Sequence, residues 1–221
     1  MKVLKIDFDG NPNIGLYAFA TDEYCLIGQD VSARDRRQIE KVLKVPTYPM
    51  TIGGTSLIGV FVNGNSRNLL LPSITFDYEK KALEKLSIPF RIIESSHTAF
   101  GNNTLIGEQV CLVSDEYSAF EKKRIREALD LKTVPGTIGQ TGTVGSQAAI
   151  TGKGIFVSDQ IGKEEEAELV KHFGLPLAKG TINQQNPYIH SGIIANSNGC
   201  AIGSHSSGVE INDALQALGF L

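Results

Sequence analysis

The sequence predicts an α/β protein built as a closed ring of five strand-strand-helix-strand units. A glycine between two apolar stretches recurs at intervals of 42 to 47 residues, and the chain outside the first and last of these glycines supplies a further 44. The same order of strands and an amphipathic helix follows each glycine, and a repeat of this length is typical of ring-shaped or stacked repeat folds. The glycines are Gly15, Gly59, Gly101, Gly145 and Gly192.

Each unit is expected to place two strands before its helix. The first strand follows the glycine, and an apolar run about ten residues after the glycine predicts a buried second strand. These runs lie at residues 24–27, 69–71, 110–113, 155–157 and 200–202. Apolar residues at helical spacing then predict a helix, as at Ile39, Val42 and Leu43. Ser32, Ser118 and Ser207 stand where helix caps are needed, and Asp77 is the predicted cap of the second helix.

A third, short strand is predicted after each of the first four helices, often at a proline that cannot continue the helix. These strands are expected at residues 45–47, 88–90, 131–134 and 175–177. The fifth helix has no such stretch behind it, whereas the strand-like residues 3–6 have no helix before them. We therefore predict that the N-terminal strand completes the fifth unit and removes the open sheet edge. The predicted domain is one ring over residues 1–221, with repeats at about 14–56, 57–98, 99–142, 143–189 and 190–221, closed by residues 1–13.

Composition disfavours several classes of protein. The chain has 221 residues with 21 basic and 24 acidic side chains, a formal net charge of -3. Sequence-independent binding to DNA or RNA depends on clustered Lys and Arg, which an acidic chain lacks. No apolar run approaches 18 residues and charges interrupt the N-terminus, so neither a membrane span nor a signal peptide is predicted. We expect a cytoplasmic protein with no membrane partner, whose core needs no disulfide.

Several stretches resemble the ribosome anti-association family called translation initiation factor six, along essentially the whole chain. The most family-specific are residues 99–102, Ala-Phe-Gly-Asn, and residues 175–183, Leu-Pro-Leu-Ala-Lys-Gly-Thr-Ile-Asn. The family has the pentein fold, a five-bladed α/β propeller of pseudo-fivefold repeats, and the end of the chain at Leu221 resembles its archaeal members. The resemblance implies a monomeric, non-enzymatic factor of protein synthesis or ribosome biogenesis. Such a factor binds the large ribosomal subunit, mainly through ribosomal protein with limited rRNA contact, and keeps the small subunit off.

An amidine-modifying enzyme is the alternative, because the other branch of the pentein fold resembles this one in architecture and uses a cysteine nucleophile. Cys200, with His190 and His205 nearby in sequence, is the candidate for that role. Cys25, Cys111 and Cys200 all fall in the predicted second strands, however, where a cysteine is expected to fill the core. No histidine, cysteine and carboxylate spacing suggests a metal site, and no phosphate-binding motif is complete, so neither a metal nor a cofactor is predicted.

The position after each repeat glycine is the candidate partner surface. Leu16, Val60, Asn102, Ser146 and Ile193 are equivalent by repeat, and they mix apolar with polar side chains. If they gather at one end of the ring axis, they form a patch for the large subunit. The predicted contact residues are Gly15, Val60, Asn102 and Ser146. The turns at residues 63–65 and 196–199 are expected to use Asn and Gly because both tolerate positive φ. The basic residues of the first and third helices are expected to be solvated.

Overall fold

The computed structural model describes residues 2–221 and confirms a ring of five α/β units. These residues form five three-stranded sheets and five helices of nine to eleven residues. The strands are β1 Val3–Ile6, β2 Ala18–Ala20, β3 Cys25–Gly28, β4 Thr47–Met50, β5 Asn63–Gly64, β6 Leu69–Pro72, β7 Phe90–Ile93, β8 Thr104–Ile106, β9 Val110–Ser114, β10 Lys132–Gly136, β11 Ala148–Thr151, β12 Gly154–Ser158, β13 Leu177–Gly180, β14 Ile193–Ala195 and β15 Cys200–Gly203. The helices are α1 Ala33–Leu43, α2 Asp77–Lys85, α3 Ala119–Leu129, α4 Lys163–Phe173 and α5 Gly208–Ala217.

Every sheet has the same topology. The first two strands form an antiparallel hairpin, as where Ala18 pairs with Ile27, and the helix then crosses over to a third strand parallel to the second, as where Cys25 pairs with Thr47. Parallel neighbours require such a crossover, whereas a tight turn suffices for the hairpin. One end of each unit therefore carries the hairpin turn and the end of the helix. The opposite end carries the start of the first strand and the start of the helix.

The fifth sheet is assembled from both ends of the chain. Strand β1 pairs in parallel with β15, with Val3 opposite Cys200. The amide of Cys200 donates to the carbonyl of Lys2 at 2.8 Å, just as the amide of Cys25 donates to the carbonyl of Pro46 at 2.9 Å in the first unit. Residues 2–6 thus occupy the place that the stretch after a helix occupies in the other units.

The third strands begin one to two residues later than the sequence predicts. Strand β4 starts at Thr47, not Val45, and β7 and β13 are displaced by two residues in the same way. The prolines lie just before these strands, where each carbonyl accepts from an amide at the start of the second strand, as that of Pro89 does from Leu69 at 2.9 Å. A proline can accept such a bond although it cannot donate one.

Five apolar clusters form the core, and each lies between two neighbouring units. One joins Ile194 and Ala201 of the fifth unit to Cys25 and Ile27 of the first, and the other four repeat this arrangement around the ring. The second strand of each unit is consequently buried on both faces, which explains why it reads as an unbroken apolar run. Because each unit shares its core with both neighbours, the ring buries its apolar surface only when all the units are in place.

Helix starts follow the prediction in three units. Ser32, Ser118 and Ser207 each accept a hydrogen bond from the amide three residues on. The predicted cap at Asp77 is wrong, since Asp77 is the first helical residue and Phe76 precedes it without a side-chain cap. The side-chain cap of this helix is the Glu79 carboxylate, which accepts a hydrogen bond from the Phe76 amide at 2.8 Å.

Candidate partner-binding face

Five short turns meet at one end of the ring. They are the single 3-10 turns Ile14–Tyr17 and Ile189–Gly192, the single α-helical turns Ile58–Phe61 and Phe100–Asn103, and the turn at residues 144–147, each just before the first strand of its unit. A Cβ built on Gly59 would collide with the carbonyl oxygen of Gly15, one on Gly101 with that of Gly59, and one on Gly145 with that of Gly101. Only glycine allows backbones this close. The repeat glycines therefore exist to pack neighbouring turns against one another, and we call these segments the axial turns.

In the fifth axial turn, His190 occupies the position that the repeat glycine has in the other units. The prediction of Gly192 for this position is therefore wrong by two residues. A Cβ on Gly15 would collide with the carbonyl of His190, and the His190 amide donates to Ser146 at 3.1 Å, so His190 stands where the other units have glycine. Gly192 lies two residues further on and packs against Ile182. The residue equivalent to Val60 and Asn102 is accordingly Ser191, and not Ile193, which is buried in β14 opposite Ile202.

The predicted contact positions do gather at this end of the ring. Val60, Asn102 and Ser146 are half-buried in successive axial turns, and the Asn102 carbonyl accepts the Ser146 amide at 3.2 Å. Gly15 is buried beneath His190. The residue of the first axial turn that a partner could contact is therefore the half-buried Leu16. The axial turns thus form a central patch of mixed polarity.

The loops around the axial turns contain no Lys or Arg. They comprise residues 7–13, 29–32, 51–57, 73–76, 94–99, 115–118, 137–143, 159–162, 181–188 and 204–207 of the described chain, and none of its 21 basic residues falls in them. Their charged side chains are carboxylates, at Asp7, Asp9, Asp30, Glu94, Asp115, Glu116 and Asp159. The axial turns and these loops together form what we call the axial-turn face. Its loop charge is acidic, which suits a cationic partner and opposes phosphate.

Carboxylates hold three of these loops in place, and those of Glu79 and Glu210 are buried whereas that of Glu165 is half-buried. Glu79 accepts hydrogen bonds from the Thr51 hydroxyl at 2.6 Å and from the amides of Gly53 and Gly54 at 2.9 Å each. Glu165 makes the same set with Thr137, Gly139 and Gln140, and Glu210 makes it with Thr181, Gln184 and Gln185. Burial alone would raise the pKa of each carboxyl, but these hydrogen bonds outweigh it, so the pKa of each lies below its usual value.

The three cysteines fill the core, as the sequence predicts. Cys25, Cys111 and Cys200 are fully buried, and burial raises the pKa of every thiol, that of Cys25 to about 12. Cys200 opens β15 at the hairpin end, whereas His205 follows the other end of that strand. The structure therefore does not pair Cys200 with His205, and an inaccessible neutral thiol is a poor nucleophile.

A narrow channel runs along the ring axis inside the first strands. It encloses about 130 Å³ and is lined mainly by small and apolar residues, with Asn63, Thr104 and His190 as its polar side chains. Loss of solvation lowers the pKa of His190 to about 4, so its imidazole is neutral at pH 7. At the hairpin end the channel opens into a bowl of about 610 Å³. Within residues 2–221, no three His, Cys, Asp or Glu side chains converge as metal ligands would.

The hairpin turns use their asparagines differently from the prediction. None of the residues at 63–65 or 196–199 has a positive φ. Instead, Asn65 donates to the carbonyl of Leu129 at 3.0 Å and Asn196 to that of Leu43 at 3.0 Å. Both carbonyls end a helix of the next unit, where acceptors lack intrahelical partners. These side chains therefore join neighbouring units at the hairpin end.

Comparison with known proteins decides the family. The sequence matches the eIF-6 family over residues 3–217. The chain belongs to the eIF-6 family. Translation initiation factor 6 of Thermococcus onnurineus is 33% identical over the full length of both chains, and that of Staphylothermus marinus is 32% identical over 96% of this chain and 95% of its own. Family membership makes this protein a translation initiation factor.

Solved structures establish the fold independently. DDAH from Pseudomonas aeruginosa, in complex with citrulline, matches 76% of this chain and 68% of its own with a TM-score of 0.52 and 10% identity. The amidinotransferase SxtG from Microseira wollei matches 76% of this chain and 64% of its own with a TM-score of 0.52 and 11% identity. The predicted pentein fold is confirmed. Identities this low carry the fold alone. Separately, none of the helices in residues 2–221 combines the length and apolar character that a membrane span requires.

Proposed function

We propose that this eIF-6 family member binds the large ribosomal subunit through its axial-turn face and thereby prevents association of the small subunit. The observation that supports a contact mainly with ribosomal protein is that the loops of this face, in the described chain, contain no Lys or Arg. RNA phosphate would meet carboxylates there, whereas a cationic ribosomal protein would meet complementary charge. Contact with rRNA is accordingly limited.

The mechanism needs no bond chemistry. A rigid ring seated on the surface that the small subunit must approach excludes that subunit by volume alone. An interface of roughly 1,600 Å² in total is sufficient for stable binding, and the axial turns with their loops offer a broad surface. Cross-braced axial turns also keep this face in one conformation, which reduces the entropy lost on binding. The protein acts as a cytoplasmic monomer without a cofactor, and the buried Cys200 leaves the amidine-modifying alternative without an accessible nucleophile.

Sedimentation with purified subunits tests the proposal. The protein is expected to sediment with large subunits and not with small ones, and to reduce light scattering when the two are mixed. Asn102→Arg and Ser146→Arg place bulky cations in the centre of the face, and each is expected to weaken large-subunit binding at least tenfold. Gln109→Arg, at an exposed hairpin turn, is the matched control and leaves binding unchanged.

Two results would contradict this assignment. Failure of the wild-type protein to sediment with the large subunit would exclude the function itself. Normal binding by both arginine variants, with loss of binding by Gln109→Arg, would place the contact on the hairpin end.

A further inference from the structure

Three large apolar side chains lie exposed at the start of α2. Ile74, Phe76 and Tyr78 are 44%, 50% and 59% exposed, and the rings of Phe76 and Tyr78 stack with centroids 5.7 Å apart. Ile74 and Phe76 cover Gly53 and Gly54, where an added Cβ would come within 3.1 Å of either side chain. We call Ile74, Phe76 and Tyr78 the unit-2 patch.

The other four units show that the fold does not need this patch. The same turn precedes every helix, since the amide of Thr75 donates to Pro72 at 3.1 Å and that of Ser206 donates to Gly203 at 3.0 Å. This fixes the equivalent triplets as Asp30, Ser32 and Arg34; Glu116, Ser118 and Phe120; Gln160, Gly162 and Glu164; and His205, Ser207 and Val209. In all four, the first position is polar and the second is serine or glycine.

The apolar residues of the patch lower the stability of this unit. Phe76 occupies the cap position at which three other helices use a serine hydroxyl, a bond worth about 1 kcal/mol. Clustered, exposed apolar side chains also contribute nothing to the core, and such clusters mark interaction sites on soluble proteins. The patch is therefore best explained by something that binds it.

The area and position of the unit-2 patch indicate whether its partner is a second copy of this chain or part of a larger assembly. Three half-exposed side chains offer roughly 300 Å², whereas a stable interface needs about 800 Å² from each partner. The patch alone is too small to hold a dimer. Ile74 and Phe76 belong to the axial-turn face, however, and Tyr78 extends it onto the start of α2. The loop beneath them, residues 51–57, leads directly into the axial turn that carries Val60.

Charge around the patch selects the partner. Asp77 borders the patch but is paired with Lys80 at 3.1 Å, so the net negative charge beside the patch comes from Asp30. The Ser56 hydroxyl joins Asp30 to the same loop by donating to it at 2.6 Å, and that loop contains no Lys or Arg. We propose that the unit-2 patch anchors a basic segment of a protein of the large ribosomal subunit, which lays an apolar side chain against Phe76 and Tyr78. This inference rests on the proposed function and names the partner at that face.

Residues from the other units provide the test. The variant Ile74→Gln, Phe76→Ser, Tyr78→Glu carries residues that stand at these positions in units 3, 4 and 5, and the new serine restores a hydroxyl cap. We expect an unchanged or higher melting temperature and binding to large subunits weakened about 30-fold, as for loss of an interface hot spot. The subunits should come from the cells that make the protein. Val209→Glu, which is equivalent to Tyr78→Glu, is the matched control and changes binding less than twofold.

A crosslink identifies what covers the patch. A photoreactive benzophenone side chain at Tyr78 is expected to label a basic ribosomal protein in the bound large subunit. Labelling of rRNA instead, or wild-type affinity in the triple variant, would overturn this inference and leave the proposed function standing. If the wild-type chain itself does not bind the large subunit, both fall.

Discussion

The two ends of the ring are built from different kinds of contact. At the axial-turn face, backbone packs on backbone, as where Gly59 meets the carbonyl of Gly15, and buried carboxylates fasten the loops. At the hairpin end, exposed turns reach the next unit through asparagine side chains, and four acidic residues are balanced by four basic ones. The four acidic residues are Asp22, Glu23, Glu108 and Asp130, and the four basic ones are Lys2, Lys44, Arg67 and Lys153.

This difference indicates how a repeat fold can carry one specific surface. Backbone contacts leave no room for another side chain, so the axial turns tolerate little change in shape. The hairpin end depends on individual side-chain bonds, each of modest worth, and can vary. A docking face benefits from the first kind of construction because its geometry is fixed before the partner arrives.

The largest effect is expected from a single methyl group at an axial turn. In Gly59→Ala, the new Cβ would overlap the carbonyls of Gly15 and Ala18, and the backbone of two units must move. We expect a loss of about 3 kcal/mol or more in the free energy of unfolding, measured in urea. Gly152→Ala is the hairpin-end control, where the nearest atom is the mobile carboxylate of Glu108. Equal stability of the two variants would remove the distinction between the ends.

A smaller, pH-dependent effect is expected at the carboxylate that fastens the unit-2 loop. Glu79→Gln replaces an acceptor of three amide bonds with a side chain that is itself partly a donor, at a cost of about 2 kcal/mol. The folded-state pKa of Glu79 is depressed, so its stabilisation is present above the unfolded pKa of about 4.3 and is lost as pH falls through the folded value. Urea unfolding at pH 7 and pH 3 should therefore show a smaller decline for Glu79→Gln than for the wild type. A parallel decline in both would refute the role of this carboxylate.

The sequence predicts the fold well because ring closure imposes its own spacing. Each axial turn must pass close to its neighbour, so a glycine recurs once per unit and reveals the repeat. The same reasoning fails in the fifth unit, where His190 occupies the glycine position. Gly192, two residues further on, is mistaken for the repeat glycine because it is the nearest glycine in the sequence. Cys200 gives the available signal: it lies ten residues after His190, as Cys25 does after Gly15, but only eight after Gly192.

The candidate site is predicted only in part, for a physical reason. Val60, Asn102 and Ser146 follow from repeat position, which fixes where a residue lies on the ring. The unit-2 patch does not, because apolar residues at alternate positions read as strand or core until exposure is known. Aligning the residues before each helix across the five units would have shown Phe76 as the apolar exception.

The smallest effect is expected from the Arg67–Asp130 ion pair at the hairpin end. These side chains are 62% and 80% exposed, so water and salt screen their attraction, and holding two flexible side chains together costs entropy. Arg67→Ala should change the free energy of unfolding by no more than about 0.5 kcal/mol, measured at low and at physiological salt. Large-subunit binding should not change, because Arg67 lies on the end opposite the axial turns. A loss of several kcal/mol would show that side-chain pairs at the hairpin end hold the units together as firmly as the axial glycines do.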